Sequence, residues 1–281
     1  MKDYIALTKP RITWLILMST GVGYFFGART WAFWTLFHTI IGTGLIASGT
    51  AALNQWMERG ADGKMRRTQG RPLPAGRIGV GNALAFAIAI SAGGFIELWF
   101  GANALAALLG LATLLLYLFV YTPLKQRSPH STTFGSIPGA MPPLIGFAAA
   151  SGKLTWDAWV LFAILFLWQF PHFYAIAWMY KEDYARAGIR MLPVVEPDGR
   201  STARRILACS AALIPISLMP KFFAMTGSFY LYGALALGLA FVYYCLRILT
   251  DRTRQQARHV LLASVIYLPA LFSLMLIDRP A

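Results

Sequence analysis

Residues 40–74 read IIGTGLIASGTAALNQWMERGADGKMRRTQGRPLP. The first fourteen are almost wholly apolar, and the run ends in Asn54, Glu58 and Asp62, with Lys64, Arg66, Arg67 and Arg71 directly behind them. An apolar stretch of this kind needs roughly 20 residues to cross hydrocarbon as a helix. The run upstream of Asn54 reaches that length back to about residue 35. The abrupt change to acids and cations then marks a membrane boundary. The stretch predicts a transmembrane helix that delivers three oxygen-bearing side chains to its polar end.

The rest of the chain repeats the apolar part. Over 281 residues, hydrophobic side chains make up 57% and charged ones 13%, outside the usual range of a soluble globular domain. Nine spans are predicted, at about 12–28, 35–56, 79–99, 103–122, 133–150, 156–179, 204–225, 228–249 and 258–277. The expected fold is an all-α polytopic membrane protein forming a single domain over residues 1–281, with no cleavable leader ahead of the first span. The fifth span contains Pro138, Pro142 and Pro143, which should break or kink it. The turn FGANA separates the third span from the fourth.

The net charge of +14 would suit a nucleic-acid partner, but its distribution argues against one. With this topology 21 of the 25 Lys and Arg residues fall on one side, and only Arg29, Lys153, Lys221 and Arg279 on the other. That asymmetry is the positive-inside signature, and it places the N-terminus in the cytoplasm and the C-terminus across the membrane. Cys209 and Cys245 lie within predicted spans, without metal spacing or a disulfide framework.

Three polar clusters share the cytoplasmic side. In the first, Asn54, Glu58 and Asp62 stand at i, i+4 and i+8, one helix face over about 12 Å. Gly60 and Gly63 predict fraying before Asp62, which would leave that acid on the following loop. A helix-end salt bridge or a solvated loop would also account for any one of these acids. Oxygen donors in a row suit Mg²⁺, which takes one or two carboxylates and fills its other positions with water and phosphate oxygens. Arginines beside them suit bidentate contacts to phosphate. Together they describe a site for a diphosphate. The second cluster, YTPLK, sets Tyr121 and Lys125 four apart, although Pro123 argues against a regular helix there; interfacial anchoring is the alternative. The third is WQFPHFYAIAWMYKEDYARAG, with Trp168, Gln169, His172 and Phe173 in an aromatic-rich span and Glu182, Asp183 and Arg186 at its end. Its aromatic wall would suit a flat or polyprenyl substrate, or plain helix packing. A wet face of acids and cations above an apolar bundle fits a substrate with an anionic head and a lipid tail.

These segments resemble the UbiA superfamily of intramembrane prenyltransferases, whose first acidic motif is NxxxDxxxD. The likeness is carried by N-x-x-x-E-x-x-x-D-x-x-M-x-R-T-x-x-R-P-L from Asn54 to Leu73, YTPLK from Tyr121 and IPGAMPPLIG from Ile137. WQFPHF from Trp168 and EDYARAG from Glu182 with MLPVV from Met191 complete it. It spans nearly the whole chain and is strongest to the haem-modifying branch. The resemblance implies nine helices around a central cavity, with farnesyl diphosphate and haem B as substrates, Mg²⁺ as cofactor and a haem A synthase downstream. It also implies that Asn54, Glu58 and Asp62 hold the metal, that Lys64, Arg67, Arg71 and Tyr121 bind the diphosphate, and that Lys125 and Asp183 serve catalysis. From their place in the aromatic wall, and not from the resemblance, Trp168, Gln169, His172 and Phe173 are expected to line the haem or prenyl cavity. Two positions depart from the superfamily pattern. Glu58 replaces the middle Asp, and the second motif, DxxxD, is unmet because Met179 stands four before Asp183. A relative acting on a quinone precursor or chlorophyllide is the nearest alternative. A transporter or a non-catalytic haem-binding protein is another, though it gives the ordered acids and cations no purpose.

Overall fold

The computed structural model describes residues 1–30 and 32–280 and is helical throughout. A short helix α1 (Lys2–Leu7) precedes α2 (Pro10–Gly27), which opens on a proline whose missing N–H costs nothing at a helix start. The long helix α3 (Phe33–Asp62) is followed, after a turn-rich loop, by α4 (Val80–Gly101). Next comes α5 (Ala104–Leu115), capped by Asn103, whose Oδ1 accepts from the Ala106 N–H at 3.0 Å. A π-helical turn at Leu116–Tyr121 joins α5 to α6 (Thr122–Arg127). The fifth predicted span is two helices, α7 (Ser131–Gly139) and α8 (Pro142–Ser151), broken where Pro142 and Pro143 deny the backbone two donors. The chain ends with α9 (Trp156–Met179), two short loop helices α10 (Lys181–Arg186) and α11 (Leu192–Val195), then α12 (Arg200–Phe222), α13 (Ser228–Thr250) and α14 (Arg254–Ile277).

Among the described residues seven helical segments are long and apolar enough to cross a membrane. The predicted nine are not reached by that measure. The first predicted span is the 18-residue α2, and the fifth is the α7/α8 pair of nine and ten residues. Both nevertheless pack inside the bundle. α2 lies against α8 so closely that a Cβ on Gly146 would overlap the Thr20 carbonyl and one on Gly23 the Pro143 carbonyl. Small residues at such crossings let helix backbones approach, which supplies packing energy where lipid gives no hydrophobic drive.

Two sequence expectations are corrected. The α-helix does not fray before Asp62: α3 runs through it, and the Thr68 hydroxyl holds the Asp62 carbonyl at 2.8 Å. Nor does Pro123 prevent helix at Tyr121–Lys125. The preceding π turn widens the backbone, and both the backbone N–H and the hydroxyl of Thr122 turn back to the Tyr117 carbonyl, absorbing the proline without ending the helix.

The largest apolar core joins α9, α12, α13 and α14 around Leu161, Ile164, Leu213, Tyr230, Tyr267 and Leu271. A second, smaller core joins α2, α3, α4, α5 and α8. At the loop end, Met65 packs with Ala177, Ala187, Ile189 and Met191, fastening the α3–α4 loop to the α9–α12 loop. That clasp roofs the space between α2, α3, α5 and α7.

Candidate functional site

Beneath the clasp lies a polar chamber of about 150 Å³, lined by Asn54, Glu58 and Asp62 from α3, Arg67 and Arg71 from the following loop, Tyr117 and Tyr121 from the π turn and Lys125 from α6. The i, i+4, i+8 spacing on one helix face is what brings the three α3 side chains to a common wall. Asp62 is 1% exposed and its Oδ2 accepts from Arg71 Nη1 at 2.7 Å. Glu58 holds Lys125 Nζ between its two oxygens, at 2.9 and 3.1 Å, and both side chains are nearly buried. Asn54 donates to Thr122 Oγ1 at 3.1 Å and accepts from Lys9 Nζ at 3.1 Å. Lys125 Nζ also stands 4.5 Å from the centre of the Tyr121 ring, within cation–π range.

Sequence reasoning missed Lys9. Its backbone is left-handed, with φ 49° and ψ 61°, in a region uncommon for a residue with a Cβ and more so ahead of a proline. Strain of this kind gathers at functional sites. Burial is the main reason its ammonium is pushed down from 10.5 to about 7, and the charges of Arg71 and Lys125 push the same way, against Glu58 and Asp62. The signal available in the sequence was the Lys-Pro-Arg stretch at the mouth of the first span, which reads as ordinary interfacial charge.

Lys9, Ile12 and Tyr117 also line a second chamber, of about 120 Å³, that descends between the helices. Its wall is Ile16, Ile46, Ala47, Ala51, Pro138 and Ile145, with Thr13, Thr43, Thr50 and Thr113 its main polar groups. Tyr117 and Tyr121 meet edge to face at 5.0 Å beside the passage from one chamber to the other. Such a pair offers π faces and ring edges where head and tail of a bound amphiphile would join.

The remaining sequence-predicted residues are dispersed. Lys64 is exposed on the loop and lines neither chamber. Asp183 is buried under the clasp, ion-paired with Arg186 and accepting from the Arg67 backbone N–H at 3.4 Å. It lines a neighbouring cavity, not the polar chamber. Trp168 Nε1 donates to the Ser264 carbonyl at 2.8 Å, and the His172 ring stacks on Trp168 with its Nδ1 at 2.9 Å from Ser264 Oγ. Both therefore pin α9 to α14. Phe173 packs edge to face on His172. Gln169 donates to the Ser136 and Leu165 carbonyls and sits directly behind Gly139, which is a wall of the apolar chamber.

Residues 16–269 match the UbiA prenyltransferase family. The chain belongs to the UbiA prenyltransferase family. It is 64% identical over its full length to a protein of Solibacter usitatus named protoheme IX farnesyltransferase, of which it covers 99%. Solved UbiA homologues share the fold. One from Aeropyrum pernix K1 superposes with a TM-score of 0.73 at 19% identity, over 93% of this chain and 97% of that one. Another, from Archaeoglobus fulgidus and bound to GPP and Mg²⁺, gives 0.68 at 16% identity, over 97% and 99%. As a UbiA member with several apolar spanning helices, the protein is an integral membrane protein. Chemically, the polar chamber can take a small, highly charged anion, and the apolar chamber below it a chain attached to that anion.

Proposed function

We propose that the protein transfers a farnesyl group from farnesyl diphosphate to a vinyl group of haem B, with water giving the hydroxyethylfarnesyl side chain of haem O and diphosphate leaving. The observation that carries this reading is the continuity of a charged chamber with an apolar one through Lys9, Ile12 and Tyr117. That is the shape of an isoprenoid diphosphate. The identity of the acceptor is supported by the full-length likeness to a relative named for protoheme IX.

The donor set fits Mg²⁺. Two carboxylates and an amide oxygen, Glu58, Asp62 and Asn54, are hard ligands of the kind Mg²⁺ uses when phosphate oxygens complete its shell. When bound, the ion neutralises charge on the departing diphosphate oxygen. Within the chain, Lys9, Arg67, Arg71 and Lys125 place further positive charge around the same anion, and in a site with little water such charge counts for more than in solution. The allylic C–O bond breaks with its electron pair passing to the diphosphate. The porphyrin vinyl π electrons close on the farnesyl carbon, and water adds to the resulting cation with loss of a proton. No side-chain nucleophile enters this scheme. Tyr117 and Tyr121 present ring faces beside the passage where the allylic charge develops. The loops that roof the chamber are cytoplasmic in this reading, which the positive-inside asymmetry supports.

Membranes carrying the protein, incubated with haem B, farnesyl diphosphate and Mg²⁺, should yield a haem heavier by one farnesol, resolved by chromatography and mass. EDTA should abolish the product and excess Mg²⁺ restore it. Unchanged haem beside a prenylated phenolic acid, when one is supplied, would move the protein to the quinone-precursor branch; full activity after exhaustive chelation would remove the metal.

A further inference from the structure

Beside the polar chamber, and sharing Arg67 with it, lies a separate cavity of about 410 Å³ at the loop face. Four arginines line it, Arg66, Arg67, Arg186 and Arg254, together with the acids Glu182 and Asp183. Asp183 is spent on Arg186 and on the Arg67 backbone. Arg67 is held by aromatic contacts, its guanidinium 4.9 Å from the Tyr180 ring centre and its Nη2 3.3 Å from the Tyr184 hydroxyl. Arg66 and Arg254 have neither an ion pair nor a side-chain hydrogen bond among the described residues. They come from segments far apart in sequence, the α3–α4 loop and the start of α14, yet face one cavity. The cavity thus keeps uncompensated positive charge next to the site of chemistry, although the diphosphate already has Lys9, Arg71 and Lys125 in its own chamber.

We infer that this cavity is the docking site for the carboxylates of the acceptor, with Arg66 and Arg254 as the groups that engage them. The inference rests on the haem reading above. A haem carries its two propionates on the edge opposite its vinyl groups. Held at the loop face by guanidinium, whose planar fork pairs bidentately with carboxylate, the propionates leave the apolar vinyl edge directed away from that face. The shared Arg67 keeps the two anion sites adjacent. Such docking selects a dicarboxylate acceptor and fixes its orientation, and it asks nothing of the chain's prenyl chamber. Met179, which stands where the superfamily has an acid, lines this cavity. A carboxylate there would repel the propionates, so the departure from DxxxD is consistent with anion docking.

The test is an absorbance titration of the purified, full-length protein with haem B and with its dimethyl ester, in which both carboxylates are masked. R66Q/R254Q should weaken haem B binding by roughly tenfold or more, the range expected for losing charge-assisted hydrogen bonds. Wild type should bind the ester as weakly as the variant binds the diacid, and the variant should bind the ester no worse than wild type does. Binding of farnesyl diphosphate, measured by calorimetry with Mg²⁺, should be unchanged in the variant. Equal wild-type affinity for ester and diacid would overturn the inference, as would a loss that fell on farnesyl diphosphate instead. Because the titration reads binding without turnover, a failure of the farnesyl-transfer reading would show separately, as haem that binds and is never prenylated.

Discussion

Lys125 Nζ sits between the two carboxylate oxygens of Glu58, 2.9 and 3.1 Å away, with both side chains almost out of solvent. A cation thus occupies the middle acid of the α3 row. A buried pair of this kind gives little net stability, but removing one partner strands the other, at a cost of about 3–5 kcal/mol. Glu58→Gln should therefore lower thermal stability in detergent markedly. Glu58→Gln with Lys125→Met should recover much of that loss while remaining inactive. Equal stability of the single and double variants would show that the pair is not coupled.

Asp62 behaves differently because its partner Arg71 is about a quarter exposed and can be solvated alone. Asp62→Asn should leave the protein folded in the membrane, with turnover down by about two to three orders of magnitude, the size seen when one electrostatic contributor to a charged transition state is removed. Single-turnover product yield with haem B and farnesyl diphosphate measures it, and near-normal yield would remove Asp62 from the metal site.

Lys9 links stability to pH. With its folded pKa near 7 and its ordinary value 10.5, the unfolded chain binds a proton between those values that the folded protein has released. Stability from this group therefore rises with pH across that window and is flat below it. Lys9→Met should stabilise the protein most at and below pH 7, with the gain fading towards 10.5, and should weaken farnesyl diphosphate binding. A melting series from pH 6 to 10 with a parallel binding assay checks both. A variant no more stable than wild type at pH 6 would contradict the burial penalty.

Gly146 tests the α2–α8 crossing. Gly146→Val forces atoms into the Thr20 carbonyl, and overpacking against backbone should cost about 1–3 kcal/mol or more. Since α2 and α8 both wall the apolar chamber, prenyl diphosphate affinity should fall with it. A melting temperature equal to wild type would mean that the two helices part easily.

Seven of the apolar stretches, the break at Pro142 and Pro143, the Asn103 turn and the acid–cation segment were legible in the chain, because hydropathy, helix period and proline's missing donor act over a few residues; the predicted nine spans are not reached among the described residues. The row Asn54, Glu58, Asp62 was legible for the same reason, one helix face being set by spacing alone. The continuity of α3 through Asp62 was not. It depends on Thr68 and on the clasp around Met65, Ile189 and Met191, contacts that outweigh the low helix propensity of Gly60. What only the tertiary structure decided is which cations meet which side-chain oxygens of α3. Lys9 reaches Asn54 across 45 residues and Lys125 reaches Glu58 across 67, while Asp183, Trp168 and His172 turn to other partners. Local sequence determines where a membrane helix begins and what it carries; the packing of one helix against another, through side-chain shape and burial over long separations, determines which of those side chains share a chamber.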